Sequence, residues 1–78
     1  NTPSASTFAG LAYLKGKGVK QDFVKARELL QKAVQVSDGA GTTQLGLMYL
    51  RGIGVDKDPN RAEELLKHAA EHGVFYPD

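Results

Sequence analysis

His68-Ala69-Ala70-Glu71-His72 is the stretch whose residue types come closest to chemistry. H-x-x-E-H is the inverted zinc-protease spacing. On a helix, residues four apart share a face, so His68 and His72 could bridge a divalent ion, with Glu71 between them in the motif. A catalytic zinc takes three protein ligands and keeps a fourth position open. These are the chain's two histidines. Glu64, one turn before His68, could offer a carboxylate, but a single exposed helix provides no cleft that excludes water. A metal-dependent hydrolase using His68, Glu71 and His72 is therefore the weakest functional reading, and the motif is expected to be helix surface.

Other fragments of motifs fail on spacing. Gly16-Lys17-Gly18 hints at a phosphate loop, but the Walker pattern needs four residues between its glycines and Ser or Thr after the Lys. Gly10 and Gly16 are five residues apart in that sense, and Gly18 follows Lys17. G-x-G-x-x-G fails because Gln21 and Lys57 occupy the third glycine position. Asp56-x-Asp58-x-Asn60 opens like a calcium loop, yet Arg61 stands where that loop needs Gly and Lys67 where it needs a bidentate Glu. No Ser or Thr has a His at suggestive spacing, so no nucleophile–base pair is legible. No catalytic residue, metal or cofactor is expected.

The positions of these fragments are explained by a repeat. Phe8-Ala9-Gly10-Leu11-Ala12-Tyr13-Leu14-Lys15-Gly16-Lys17-Gly18-Val19 returns as Gln44-Leu45-Gly46-Leu47-Met48-Tyr49-Leu50-Arg51-Gly52-Ile53-Gly54-Val55. Between Gly10–Gln35 and Gly46–Glu71, 13 of 26 ungapped positions are identical. A period in this range indicates a solenoid or array. Lys17 becomes Ile53, so the glycines are turn glycines rather than ligand loops. His68, Glu71 and His72 fall where the first copy has Lys32, Gln35 and Val36, so the unit does not need them.

Each copy reads as two helices. Ser6 or Thr7 is expected to cap a first helix running to about Lys15. Gly16 then closes it, because a glycine takes the left-handed conformation without a Cβ penalty. Asp22 caps a second helix, Phe23 to about Val36, whose apolar residues follow helical spacing. Ser37-Asp38-Gly39-Ala40-Gly41 reads as a break. A third helix is expected over Thr42–Arg51, and a fourth from Pro59, just after the Asp58 cap, to about His72. Gly10 and Gly46 each cost about 1 kcal/mol inside a helix. A cost met at the same place in both copies predicts close helix crossings. The expected core is Ala9, Gly10, Tyr13, Ala26, Leu29, Leu30, Ala33, Leu45, Gly46, Met48, Tyr49, Ala62, Leu65, Leu66 and Ala69. Residues 1–7 read as linker, 8–39 and 40–73 as the two repeats, and 74–78 as an apolar tail, or the start of a cap or further repeat.

With 78 residues, the chain has room for one thin core. Ten basic against nine acidic residues give +1, which makes no electrostatic case for nucleic acid or a membrane surface. The charge divides unevenly, +3 over residues 1–39 and −2 over 40–78, which leaves self-association open. There is no cysteine, hence no disulfide framework or thiolate site. No apolar run approaches the roughly 18 residues of a membrane helix. The chain begins with Asn rather than Met and reads as a segment of a longer protein.

Leu45-Gly46-x-x-Tyr49, Gly52-x-Gly54-Val55, Asp58, Arg61-Ala62, Leu66, Ala69-Ala70 and Gly73 resemble the Sel1-like repeat family, relatives of the tetratricopeptide repeat. Gly10, Tyr13, Gly16, Gly18-Val19, Asp22, Lys25-Ala26, Leu30 and Ala33 carry the same resemblance in the first copy. Ala9 departs from it, standing where the second copy has Leu45, and the cysteine pairs of one branch are missing. The resemblance implies an all-α chain: an α-solenoid fragment of two helix-turn-helix repeats, four antiparallel helices, with right-handed superhelical stacking. It implies a non-enzymatic protein-interaction module, binding a protein or peptide on a concave face lined by the first helix of each repeat. By that analogy Thr7, Leu11 and Lys15 lie beside Thr43, Leu47 and Arg51 on the binding face. Leu14 and Leu50 adjoin them, with the core as an equal alternative. The positive pair Lys15 and Arg51 would suit an acidic or apolar peptide. A small-ligand or cell-wall saccharide module is the alternative of a different class. It would need aromatics in the groove, where Tyr13 and Tyr49 are better explained as core. The resemblance leaves the compartment undecided, with a slight preference for an exported or periplasmic bacterial domain.

Overall fold

The computed structural model describes residues 4–71. They form four helices: α1 (Ala5–Lys15), α2 (Phe23–Gln35), α3 (Gly39–Arg51) and α4 (Pro59–Glu71). Helices α1 and α2 form one hairpin and α3 and α4 the other. The hairpins pack mainly through α2 on α3, with a smaller contact between α1 and α3.

The two hairpins are built by the same local devices. Asp22 accepts the Lys25 N–H at 3.1 Å, and Asp58 accepts the Arg61 N–H at 3.1 Å. Each satisfies one of the donors a helix start leaves open. Gly16 (φ 70°) and Gly52 (φ 69°) close α1 and α3 in the left-handed region, where a residue with a Cβ is strained. The turns are then pinned identically. The Asp22 N–H donates to the Tyr13 carbonyl and the Asp58 N–H to the Tyr49 carbonyl, both at 2.9 Å.

Helix starts differ from the sequence expectation. The cap of α1 is Ser4, which accepts the Thr7 N–H, rather than Ser6 or Thr7. The helix thus enters the stretch that reads as linker. Helix α3 begins at Gly39, three residues before Thr42, because Asp38 caps it through the Ala40 and Gly41 N–H groups. A strong cap offsets the poor helix propensity of Gly39 and Gly41. Helix α2 stops at Gln35, and Ser37 turns the chain with φ 56°. The tail read over residues 74–78 lies outside the described residues, as do residues 1–3 and His72.

Leu30, Leu45, Met48 and Leu65 form the central cluster, with Leu14, Val34, Tyr49 and Ile53 packed against it. Ala26, Ala33, Ala62 and Ala69 are buried, Ala26 against Gly10 and Ala33 against Gly41. Of the expected core, Ala9, Tyr13, Leu29, Tyr49 and Leu66 are only half-buried. Thr7 and Thr42, absent from that expectation, are fully buried. The two expected crossings are close. A Cβ on Gly10 would sit 2.9 Å from Leu30 Cγ, and one on Gly46 would sit 3.0 Å from the same atom of Leu66. These pairs are in register between the repeats. The tightest point lies elsewhere: a Cβ on Gly41 would collide with both Ala33 Cβ and Thr7 Oγ1.

Alanine in an open helix is about 1 kcal/mol better than glycine. At Gly41 the sign should reverse. Gly41→Ala is expected to lower the unfolding free energy by about 1–3 kcal/mol, as overpacking does, read from urea denaturation. Equal or greater stability would show that α1 and α2 do not close on α3 there.

Candidate functional site

The residues expected to meet a partner divide by burial. Lys15 and Arg51 end α1 and α3, and both are exposed. Leu11, Thr43 and Leu47 are half-buried and retain surface. Leu14 packs against the core, while Leu50 is exposed. Thr7 does not belong to a free face. It is fully buried and donates its hydroxyl to Asp38 Oδ2 at 2.6 Å. The equivalence of Thr7 with Thr43 misled the sequence reading: Thr7 is packed against Gly41 and Asp38 where α1 meets α3, whereas Thr43 keeps surface.

Asp38 organises that junction. Its carboxylate accepts the Ser4 N–H and the Thr7 hydroxyl from α1, and the Ala40 and Gly41 N–H groups from α3. Its carbonyl accepts the Thr42 hydroxyl at 2.9 Å. Burial pushes the Asp38 pKa up, but hydrogen bonds from Ser4, Thr7 and Gly41 outweigh it and hold the carboxyl below its usual value. One side chain therefore caps α3 and ties the start of α1 to it.

Both first-helix tyrosines carry a cation from the second helix of their own repeat. Lys25 Nζ lies 5.6 Å from the Tyr13 ring centroid, and Arg61 Cζ lies 5.3 Å from that of Tyr49. These are cation–π distances. Lys25 and Arg61 stand three residues after the capping aspartates, where a capping box would have Glu or Gln. Their shared positive charge was the visible signal for this role. A cation over each ring leaves it poorly placed to stack on a sugar.

The chemical motifs acquire ordinary roles. Ile53 packs on the core where its counterpart Lys17 is exposed, so the Gly-x-Gly stretch is a turn. Among the described residues there is no group of three or more His, Cys, Asp or Glu placed to hold a metal ion. His68 is half-buried and Glu71 exposed, while His72 lies outside the described residues. Among the described residues no helix is long and apolar enough to cross a membrane.

A groove of about 760 Å³ opens where α2 meets the turn of the second repeat. It is lined in part by Arg27, Tyr49, Lys57 and the capping Asp58. Arg27 did not stand out in the sequence, because its counterpart in the second copy is Glu63 and the repeat comparison treats both as surface.

Paired helices of one repeating design, stacked hairpin on hairpin, define a helical-repeat protein of the α-solenoid class. The family model for the Sel1 repeat matches twice, over residues 3–36 and 40–74, and the chain belongs to that family. A crystal structure of a Sel1 repeat protein from Oxalobacter formigenes is similar to it at 37% identity and a TM-score of 0.85. That match covers 94% of this chain and 30% of the other, so the chain spans under a third of that neighbour's length. No curated protein matches it.

The depressed Asp38 pKa has a defined consequence for stability. A carboxyl of lower folded pKa stabilises above its unfolded value of about 3.9, and that stability is lost as pH falls through the folded pKa. Wild-type unfolding free energy is expected to fall as acid protonates Asp38. Asp38→Asn should cost about 1–2 kcal/mol at neutral pH, the lower part of the range for weakening hydrogen bonds to a charged group, because these bonds are only partly buried. It should also flatten the acid slope. Parallel pH profiles for the two proteins would contradict this role.

Proposed function

We propose that the chain is a non-enzymatic binding module whose face, formed by α1 and α3, takes an extended acidic peptide of a partner protein. Sel1 repeats are generally protein-interaction modules, and membership in the family supports the class of function. The finer reading rests on one observation. The neighbouring helices α1 and α3 both end in an exposed cation, Lys15 and Arg51, and neither cation meets a carboxylate among the described residues.

The physical fit is simple. Leu11 and Leu47, half-buried one turn before the cations, offer apolar contact to alternate side chains of a peptide. Thr43 adds a hydroxyl. Lys15 and Arg51 attract acidic residues and raise the rate of encounter more than the final affinity. Helices α1 and α3 carry no acidic residue, so nothing on them opposes this charge.

A random-dodecapeptide selection against the protein should return sequences rich in Asp and Glu with interspersed large apolar residues. The Lys15→Glu/Arg51→Glu double variant should bind the selected peptides at least tenfold more weakly, and the wild-type affinity should fall as salt rises. Selected peptides without acidic bias, or unchanged binding by the folded double variant, would reject this reading.

A further inference from the structure

We propose that the protein associates head to tail with a second copy of itself, the outer face of α4 in one copy docking on the outer face of α1 in the next. The contact between the repeats supplies the template. There α2 packs on α3: Leu30 shares the core cluster with Leu45 and Met48, Ala33 meets Gly41, and Phe23 meets Gly54. The same positions recur, uncovered, at the two ends of the stack. Leu45 and Met48 are buried, whereas their counterparts on α1, Ala9 and Ala12, keep surface. Leu30 is buried and Val34 half-buried, whereas their counterparts on α4, Leu66 and Ala70, are half-buried and exposed. Gly54 lies against Phe23, but its counterpart Gly18 has nothing within 4 Å of its would-be Cβ. A repeat that caps a stack carries a polar outer face. Here both ends keep apolar residues at the positions that the inner contact buries.

Charge selects a second copy as the occupant. In the groove between the repeats, Arg27 of α2 shares the lining with Asp56 of the following turn. At a copy-on-copy contact the corresponding residues are Glu63 of α4 and Lys20 of the first turn. Both signs are reversed together, so the pair stays complementary. Both residues are exposed. The other charges of the groove change in step. Lys57 is replaced by the neutral Gln21. Asp22 is engaged as a helix cap, like Asp58, and Lys17, exposed where Ile53 packs on the core, offsets its charge. Lys67 follows Glu63 by one helical turn, away from those lysines.

The contact is weaker than its template. Ala5 stands where Gly41 has no room for a Cβ, so a second copy cannot seat as deeply on α1 as α2 seats on α3. Ala9 and Ala12 are also smaller than Leu45 and Met48. Phe8, 58% exposed at the position of Gln44, fills the wider space. Each copy uses two different faces of itself, so the contact is heterologous and leaves both ends open to further copies. Association therefore grows with concentration and continues beyond a dimer.

Sedimentation velocity over a concentration series at low salt reads this association, with circular dichroism to establish that each variant is folded. The wild-type weight-average mass should rise with concentration and fall back as salt screens the charge pair. E63K and K20E should each associate about tenfold more weakly, because like charges then meet. An equimolar mixture of the two should regain wild-type association, since each variant supplies the sign the other lacks. F8S should weaken association at every salt concentration. A monomer at all concentrations up to about 1 mM would overturn the proposal. So would a mixture that associates no better than either variant alone, or a dimer that neither charge reversal affects.

Discussion

The carboxylate of Asp38 is the joint on which the arrangement depends. It sits where α1, α2 and α3 converge, at a point so tight that Gly41 has no room for a methyl group. Hydrophobic contact alone would let two hairpins slide, because it is non-directional. Four donors aimed at one carboxylate from two helices do not permit sliding without breaking hydrogen bonds. The junction thereby fixes α1 against α3, and with them the relative positions of Lys15 and Arg51.

Around that joint the two repeats are alike inside and different outside. Gly10 against Leu30 and Gly46 against Leu66, the paired capping aspartates, and the paired tyrosine–cation contacts recur in register. These are the features a hairpin needs in order to close. Ile53 for Lys17 and Glu63 for Arg27 are substitutions at positions where the two repeats have different surroundings, Ile53 packing on the core and Lys17 being exposed. Family membership accounts for the shared set. The unshared set is where this chain differs in chemistry, and both Ile53 and Arg27 in it are half-buried.

The hairpins were legible because each local signal agreed with the next: caps, left-handed glycines and helical spacing point to the same four elements. The boundaries of α1 and α3 were less so. Ser37-Asp38-Gly39-Ala40-Gly41 carries two glycines and reads as a break, yet Asp38 converts it into a helix start. The cap itself is local, to Ala40 and Gly41, but the other carboxylate oxygen accepts from Ser4 and Thr7, over thirty residues away, and no local window contains that second use. The same long-range contact hid Thr7. A threonine looks like surface until its hydroxyl is known to have a partner on another helix. For the candidate site, the exposed cations were readable from the repeat, whereas the inter-repeat groove exists only through stacking.

The central claim is that the Thr7–Asp38 contact couples the repeats. A double-mutant cycle on unfolding free energy, with Thr7→Val, Asp38→Ala and the combination, isolates that contact. The account predicts that the two changes are not additive, with a coupling of about 1 kcal/mol or more, as for side chains sharing one hydrogen-bond network. Additive losses would contradict it, because each residue would then act within its own helix and the junction would hold nothing together.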